Sequence, residues 1–417
     1  MRRSAVLGLV LSALLAAEQG AFRAGAARVD ITPAKDAALL MSGYGGRTQG
    51  HTGIHDQLYV RALVVDDGVA QAALVTCELI GFPHPLWERI SQRISREAGI
   101  PATHLLLAGT HTHGAPAPAR PDSSDAKPLA YTRKVEDAVL EAVRQAKAAL
   151  EPARLGAATG RANVNINRRA RMADGRWWLG LNPDGPSDKT VAVVKFETLA
   201  GQPMALFANY GVHGVVMGPR NLEITADLPG ATARFVENHY GGKVVALWTS
   251  GAAGDQNPIY GPGTEFSQVA ALGQLLGEEV LRLAGEIRTS ARARMRATQR
   301  VVSCPGQKLA PGARPRTEYV FENAEPVDIR LSLLRLGEVA LAGVSGEVLT
   351  MIGQRLKRES PYSNTIMITH CNGSSGYLAD DAAYAQVSYE IVTTRVQRGC
   401  AENAIVGGLR EMMNEGQ

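Results

Sequence analysis

The chain has 417 residues, 45% of them hydrophobic and 20% charged, with 44 basic and 40 acidic side chains and a formal charge of +4. That mixture is too apolar for a disordered polymer and too polar for a membrane bundle, and it has no charge bias that would dictate a partner. No nucleic acid is expected as a partner. The one arginine-rich run, Arg292, Arg294 and Arg296, alternates as a solvated strand face does.

Arg2 and Arg3 precede an apolar run from Ala5 to Ala17, which Glu18, Gln19 and Gly20 end. A basic start followed by a short apolar core is the pattern of a secretory signal peptide, expected over 1–22 with cleavage between Ala16 and Ala26. A transmembrane anchor needs about 20 apolar residues, so none is expected. The mature part, 23–417, is expected to be one domain of an exported protein, secreted or periplasmic.

Along that part, β-branched and apolar runs bounded by turn residues predict strands over 58–66, 69–79, 104–108, 191–197, 204–209, 244–249, 327–336, 339–344 and 365–369. Amphipathic stretches predict helices over 86–97, 132–150, 228–238, 268–287, 347–358 and 389–413. The clearest puts Val135, Ala138, Val139, Ala142 and Val143 on one face. The alternation predicts an α/β (or α+β) fold of mixed β-sheets flanked by helices. No solenoid period is present. The stretch 305–326 is the longest without a predicted element, a functional loop or a connection. Four cysteines, Cys77, Cys304, Cys371 and Cys400, allow three pairings, and Cys77 in its apolar run suits a buried free thiol.

Five of the predicted strands run into unusual polar sequences. These are Gly109-Thr110-His111-Thr112-His113, Tyr210-Gly211-Val212-His213, Ser250-Gly251-Ala252-Ala253-Gly254-Asp255, Ser345-Gly346-Glu347 and His370-Cys371-Asn372 onward to Tyr377. Ligands in α/β sheets collect beyond the carboxyl ends of strands, so the active site is expected where these ends meet. Only nine histidines exist in the chain, and His111 and His113, two residues apart in an extended segment, can share a cleft. A catalytic zinc takes about three protein ligands plus water, and His213 and Glu347 would complete such a set. Two hydrogen-bonded loop histidines would satisfy the same pattern. There is no His-Glu-x-x-His, no Gly-x-Ser-x-Gly, no P-loop and no Gly-x-Gly-x-x-Gly after a strand.

The ordered series Arg28-Val29-Asp30-Ile31-Thr32-Pro33, Gly43-Tyr44-Gly45, Gly53-Ile54-His55, Gly109 to His113, Ile166-Asn167-Arg168, Asn209 to His213, Ala253-Gly254-Asp255, Gly346-Glu347, Gly376-Tyr377 and Tyr389-Glu390 resembles the neutral (non-lysosomal) ceramidase family in its catalytic N-terminal domain. The resemblance implies one Zn2+ per chain, held by His111, His213, Glu347 and Tyr377. It also implies that His113, Arg168 and Tyr389 bind or polarise the scissile carbonyl. The small residues Gly251 and Ala252, with Asp255 capping or orienting their loop, are expected to let the protein backbone approach the substrate closely or present N–H groups to it.

Two departures shape the expectation. Where the family's amidases carry a serine and an asparagine, this chain has Gly251 and Ala252, with Ser250 one position earlier. A one-residue offset turns an extended side chain to the other face. No counterpart of the family's C-terminal β-sandwich domain is expected either, so the expectation stops at an N-acyl substrate and does not extend to ceramide. The expected protein is an exported zinc hydrolase that cleaves an amide, or an ester, of a small or lipid-like substrate through a zinc-bound water. The alternative is a non-hydrolytic zinc-containing binding protein on the same scaffold.

Overall fold

A computed structural model describes residues 22–119, 123–311 and 319–415; apart from Phe22, the expected signal peptide lies outside them. The central sheet has eight strands in the spatial order Val245–Ser250, Pro203–Tyr210, Thr190–Thr198, Glu151–Arg161, Arg23–Asp30, Tyr59–Asp66, Gln71–Cys77 and Leu105–Gly109. A second sheet orders Met295–Leu309, Phe321–Leu336, Val339–Val344 and Asn364–Ile368. The fold is mixed α/β, as the alternation predicts.

One topology occurs three times. In its first copy Arg23–Asp30, Tyr59–Asp66 and Gln71–Cys77 pair antiparallel in succession. The helix His84–Ala98 then carries the chain to Leu105–Gly109, parallel to Gln71–Cys77, and the helix Ala126–Ala148 packs back on the first two strands. The second copy runs Glu151–Arg161, Thr190–Thr198, Pro203–Tyr210, helix Asp227–His239, Val245–Ser250 and helix Phe266–Glu286. The third builds the smaller sheet from Met295–Leu309, Phe321–Leu336, Val339–Val344, helix Thr350–Glu359, Asn364–Ile368 and helix Ala401–Asn414. The first two copies join edge to edge where Arg23 and Ala24 pair with Pro152 and Glu151.

Period-two alternation decides what each face meets. Val60, Ala62 and Val64 point into the helix layer, whereas Leu63 and Val65 point at the smaller sheet. On Val339–Val344, Val339 and Leu341 meet the central sheet, while Ala340, Ala342 and Val344 meet the helices outside. The result is four layers: helices, eight strands, four strands, helices. Strands buried on both faces read as continuous apolar runs, which is why the sequence shows them so plainly.

Four expectations need correction. The described residues of 305–326 are largely paired, because Met295–Leu309 and Phe321–Leu336 form one long antiparallel ladder that absorbs Pro305 in a register shift between Cys304 and Gly306. Arg292 and Arg294 precede that strand, and only Arg296 lies in it. Glu347 does not open a helix; it sits in a two-residue strand, and the helix starts at Thr350. The helix over 389–413 is two helices, Tyr389–Thr393 and Ala401–Asn414, broken where Gly399 takes φ +95° and Cys400 bonds Cys304. Cys77 and Cys371 are buried free thiols.

Candidate metal centre and active site

The repeated topology brings strand ends to one place, the third strand's end in the second and third copies and the fourth strand's end in the first. His111 stands two residues past Leu105–Gly109, His213 three past Pro203–Tyr210, and Glu347 three past Val339–Val344. Glu347–Val348 pairs in parallel with Tyr377–Leu378, in a register that puts Glu347 directly beside Tyr377. Residues thirty positions apart thereby share one rim.

The two histidines are oriented from behind. His111 Nδ1 lies 2.8 Å from the Ile80 carbonyl, and His213 Nδ1 lies 2.8 Å from the Ala253 carbonyl and 3.0 Å from that of Gln256. Carbonyl oxygens only accept, so each ring donates from Nδ1 and keeps its lone pair on Nε2. Glu347 Oε2 is 3.6 Å from His111 Nε2 and 3.3 Å from His213 Nε2. His111 Nε2 and Glu347 Oε2 are buried without a hydrogen-bond partner. Burial, then the Arg168 charge, lowers His213 to about 4, which keeps that ring neutral. Burial alone would raise Glu347, but the neighbouring His111 and His213 hold it well below the usual carboxylate range.

Such atoms are what a divalent transition metal satisfies. Two imidazole lone pairs and a carboxylate oxygen are a zinc-type donor set, and the Nδ1–H to carbonyl bonds are the outer contacts that fix ligating imidazoles. The residues present therefore fit the metal the sequence suggests. Among the described residues, two overlapping groups have ligand atoms close enough to share an ion: His111 with His113 and His213, and His111 with Glu347 and His370.

His111, His113, Arg168, Glu347, Tyr377 and Tyr389 line one cavity of about 170 Å³, together with Tyr44, Ile80, Leu179, Val215 and Pro262 among others. Arg168, in the strand Asn165–Arg171, is buried. Its Nε donates to Glu390 Oε1 at 2.7 Å, its Nη2 to the Tyr377 hydroxyl at 2.9 Å, and its Nη1 lies 3.1 Å from His213 Nε2. Burial works against the guanidinium charge, but Tyr377, Glu390 and Glu347 more than offset it and raise its pKa. The Tyr377 phenol is pushed well above its ordinary value, chiefly by burial. Tyr389 meets Tyr377 edge-on at 5.8 Å and Trp178 at 5.9 Å.

His113 is clamped as a ring with free nitrogens. Its carbonyl accepts from Arg47, its N–H donates to Gly214, and both ring nitrogens are buried and unpartnered. Gly43, at φ +91°, packs so close that a Cβ there would sit 2.3 Å from His113 Cγ, so only glycine fits.

Gly251, Ala252 and Asp255 do not line the cavity. Gly251 faces Asn209 and the backbone of Gly211, and Ala252 packs against Gly353. Asp255 is 1% exposed; its Oδ1 accepts from the Thr350 N–H and hydroxyl and its Oδ2 from Asn167. It caps a helix and ties down the loop, so its contacts are with the scaffold. Ser250 is buried and points its hydroxyl at the backbone carbonyls of Thr110 and Val212. Sequence reasoning did not single out Tyr44, Asn257, Glu390 and His370. The series Gly43-Tyr44 and Tyr389-Glu390 held a signal for two of them; His370 had only its place at a strand end.

Residues 22–270 match the family described as neutral/alkaline non-lysosomal ceramidase, N-terminal. Neutral ceramidase of Drosophila pseudoobscura pseudoobscura is 27% identical over 283 residues, 62% of this chain and 39% of the relative. Neutral ceramidase A of Dictyostelium discoideum is 28% identical over 243 residues, 54% of this chain and 33% of the relative. Neutral ceramidase of Pseudomonas aeruginosa is 25% identical over 281 residues, 62% of this chain and 41% of the relative. The matched segments thus span about two fifths or less of each of these relatives. A crystal structure of neutral ceramidase from Pseudomonas aeruginosa superposes with a TM-score of 0.80 at 18% identity, covering 94% of this chain and 74% of that one, which shows a shared fold. With that match across more than half its length, and with that fold, the chain belongs to the neutral/alkaline non-lysosomal ceramidase family.

Proposed function

We propose that this chain is an exported zinc-dependent hydrolase of an amide (N-acyl) bond, or of an ester, in a small or lipid-like substrate. One observation carries the reading: His111 Nε2 and Glu347 Oε2 are buried without partners beside His213 Nε2, while both imidazoles are held from behind by carbonyls. His111, His213 and Glu347 would hold the ion, with Tyr377 beside Glu347 as the fourth ligand the family resemblance suggests. Bound zinc would supply Lewis acidity, polarising a carbonyl and lowering the pKa of water to about 7.

The chain's own groups do the rest. Tyr389 and Arg168 line the cavity and would donate hydrogen bonds where a carbonyl gains negative charge. Arg168 also holds the Tyr377 hydroxyl, and Glu390 holds Arg168. His113, with both ring nitrogens free, takes or gives a single proton at the rim. Tyr44, Ile80, Leu179, Val215 and Pro262 supply apolar wall and exclude water.

Export is supported by the apolar run behind Arg2 and Arg3 and by the Cys304–Cys400 disulfide, which belongs to an oxidising compartment. No helix among the described residues is long and apolar enough to cross a membrane. One catalytic domain over 23–417 agrees with the fold shared across 94% of the chain. Gly251 in the place of the family serine favours a second reading, a binding protein that keeps zinc and has lost turnover.

Elemental analysis of wild type beside His111→Ala and Glu347→Ala tests the centre. About one zinc per wild-type chain, absent from both variants, is expected. Release of amine from short N-acyl substrates then separates hydrolase from binding protein. Full zinc in either variant would remove the assignment.

A further inference from the structure

His370 has no part in the ligand set proposed above, yet it lies against it. It stands two residues past Asn364–Ile368, as His111 stands two residues past Leu105–Gly109, and each follows a threonine. Both take the left-handed backbone, φ 64° at His111 and φ 54° at His370. That conformation is uncommon for residues other than glycine and has an energetic cost, which the surrounding structure must hold in place. The third copy's strand end bridges onto the first copy's edge strand through Cys371 and Ala108. That bridge lays the two imidazoles face to face, with centroids 3.7 Å apart and planes 12° from parallel.

The stack is what distinguishes the imidazole at position 370. The residue is 7% exposed, and its ring makes no hydrogen bond to any described residue. Its ring nitrogen lies close enough to the ligand atoms of His111 and Glu347 for the three to share an ion, but the stacked ring is poorly oriented to do so alongside His111. With a zinc–nitrogen distance of about 2 Å, two imidazoles on one ion have centroids roughly 4.5–5.5 Å apart. His111 and His213, at 4.6 Å, meet that; His111 and His370 are too close and too parallel.

We infer that His370 is a positioning residue for the metal centre, fixing the tilt of the His111 ring by stacking on its face. The Ile80 carbonyl fixes His111 within its ring plane; the stack fixes it across that plane. Together they aim Nε2 before an ion arrives. The inference rests on the zinc reading of the site.

The test is zinc affinity by competition with a chelator, run on wild type, His370→Phe and His370→Leu, with the melting temperature of each chelated protein as a fold control. Phenylalanine keeps a flat ring; leucine fills the space without one. We expect His370→Leu to bind zinc about tenfold more weakly or worse. His370→Phe should stay within about threefold of wild type. In the cobalt-substituted proteins the absorption bands should shift for leucine and not for phenylalanine. Wild-type affinity in His370→Leu overturns the proposal. An equal loss in His370→Phe also overturns it, by assigning the role to a ring nitrogen. A lowered melting temperature with unchanged affinity assigns a purely structural role and overturns it as well. Wild type that takes up no zinc fails the functional reading itself, a different result from zinc uptake indifferent to residue 370.

Discussion

Two buried arginines divide the molecule into a closed polar cluster and an open one. Arg61 is 1% exposed and spends its donors on Glu78 and Glu237, at 2.7 Å each, with Arg28 also bonded to Glu237. Both carboxylates take backbone N–H groups as well, from Tyr59 and Ala246, so two cations and two anions saturate one another. Arg168 is 5% exposed and has one carboxylate partner at hydrogen-bond distance, Glu390. Around it His111 Nε2, both His113 nitrogens and Glu347 Oε2 are left without partners. Buried polar atoms are nearly always satisfied when their purpose is structural. A cluster that leaves several unsatisfied in one cavity is built for something the chain does not contain.

The two clusters are expected to fail differently. The largest effect is expected at the closed one. Glu237→Ala removes one of the two carboxylates that compensate Arg61 in the interior, leaving Glu78, and should cost about 3 kcal/mol of stability in denaturant unfolding, leaving zinc affinity unchanged. Loss of zinc in that variant would show that the clusters are coupled.

Acid should act mainly at the open cluster. Burial holds the pKa of His113, His213 and His370 below the ordinary 6.5, that of His213 at about 4. Below about pH 6.5 the unfolded chain binds protons these rings refuse, so stability of the chelated protein falls as pH drops from 6.5 toward 4. The loss is on the order of 3 kcal/mol for His213 alone. Asp227, raised to about 6 mainly by burial, works in the opposite sense. Its folded form keeps a proton that the unfolded chain has shed, so stability falls as pH rises from about 4 to 6. Glu78 and Asp380 are raised as well, but Glu347, Glu237, Glu197 and Asp188 are held low and lose stability in acid together with the three rings, so the net loss lies on the acid side. A chelated protein equally stable at pH 4.5 and 7 would contradict this.

The smallest effect sharpens the comparison within the site. Glu390→Gln keeps an acceptor for Arg168 Nε but removes its counter-charge. Hydrolytic kcat/KM should fall about tenfold with zinc content unchanged. Unchanged kcat/KM would reduce Glu390 to packing.

Much of this was legible in the chain. Runs such as 339–344 and 204–209 are buried on both faces, so their apolar content announces strands without context. The polar sequences at their ends pointed to His111, His213 and Glu347 as one set. Other elements depend on partners far away in sequence. Glu151–Arg161 is rich in Ala, Gly and Arg and has little strand propensity, yet Gly156 lies where a Cβ would come 2.2 Å from the Arg288 carbonyl. Thr394 to Cys400 interrupts an apparent helix because Cys400 reaches Cys304, 96 residues earlier.

The sequence by itself determined the alternation of strands and helices, the polar strand ends and a donor set with the chemistry of zinc. These are local properties, set by residue type and period. The tertiary structure alone decided that one topology recurs three times, that Glu347 pairs in register with Tyr377, that Ser250, Gly251 and Asp255 turn toward the scaffold, and that His370 lies on His111. Those facts depend on which strand end meets which, and that is fixed by the packing of two sheets over long sequence separations, where no local signal reaches.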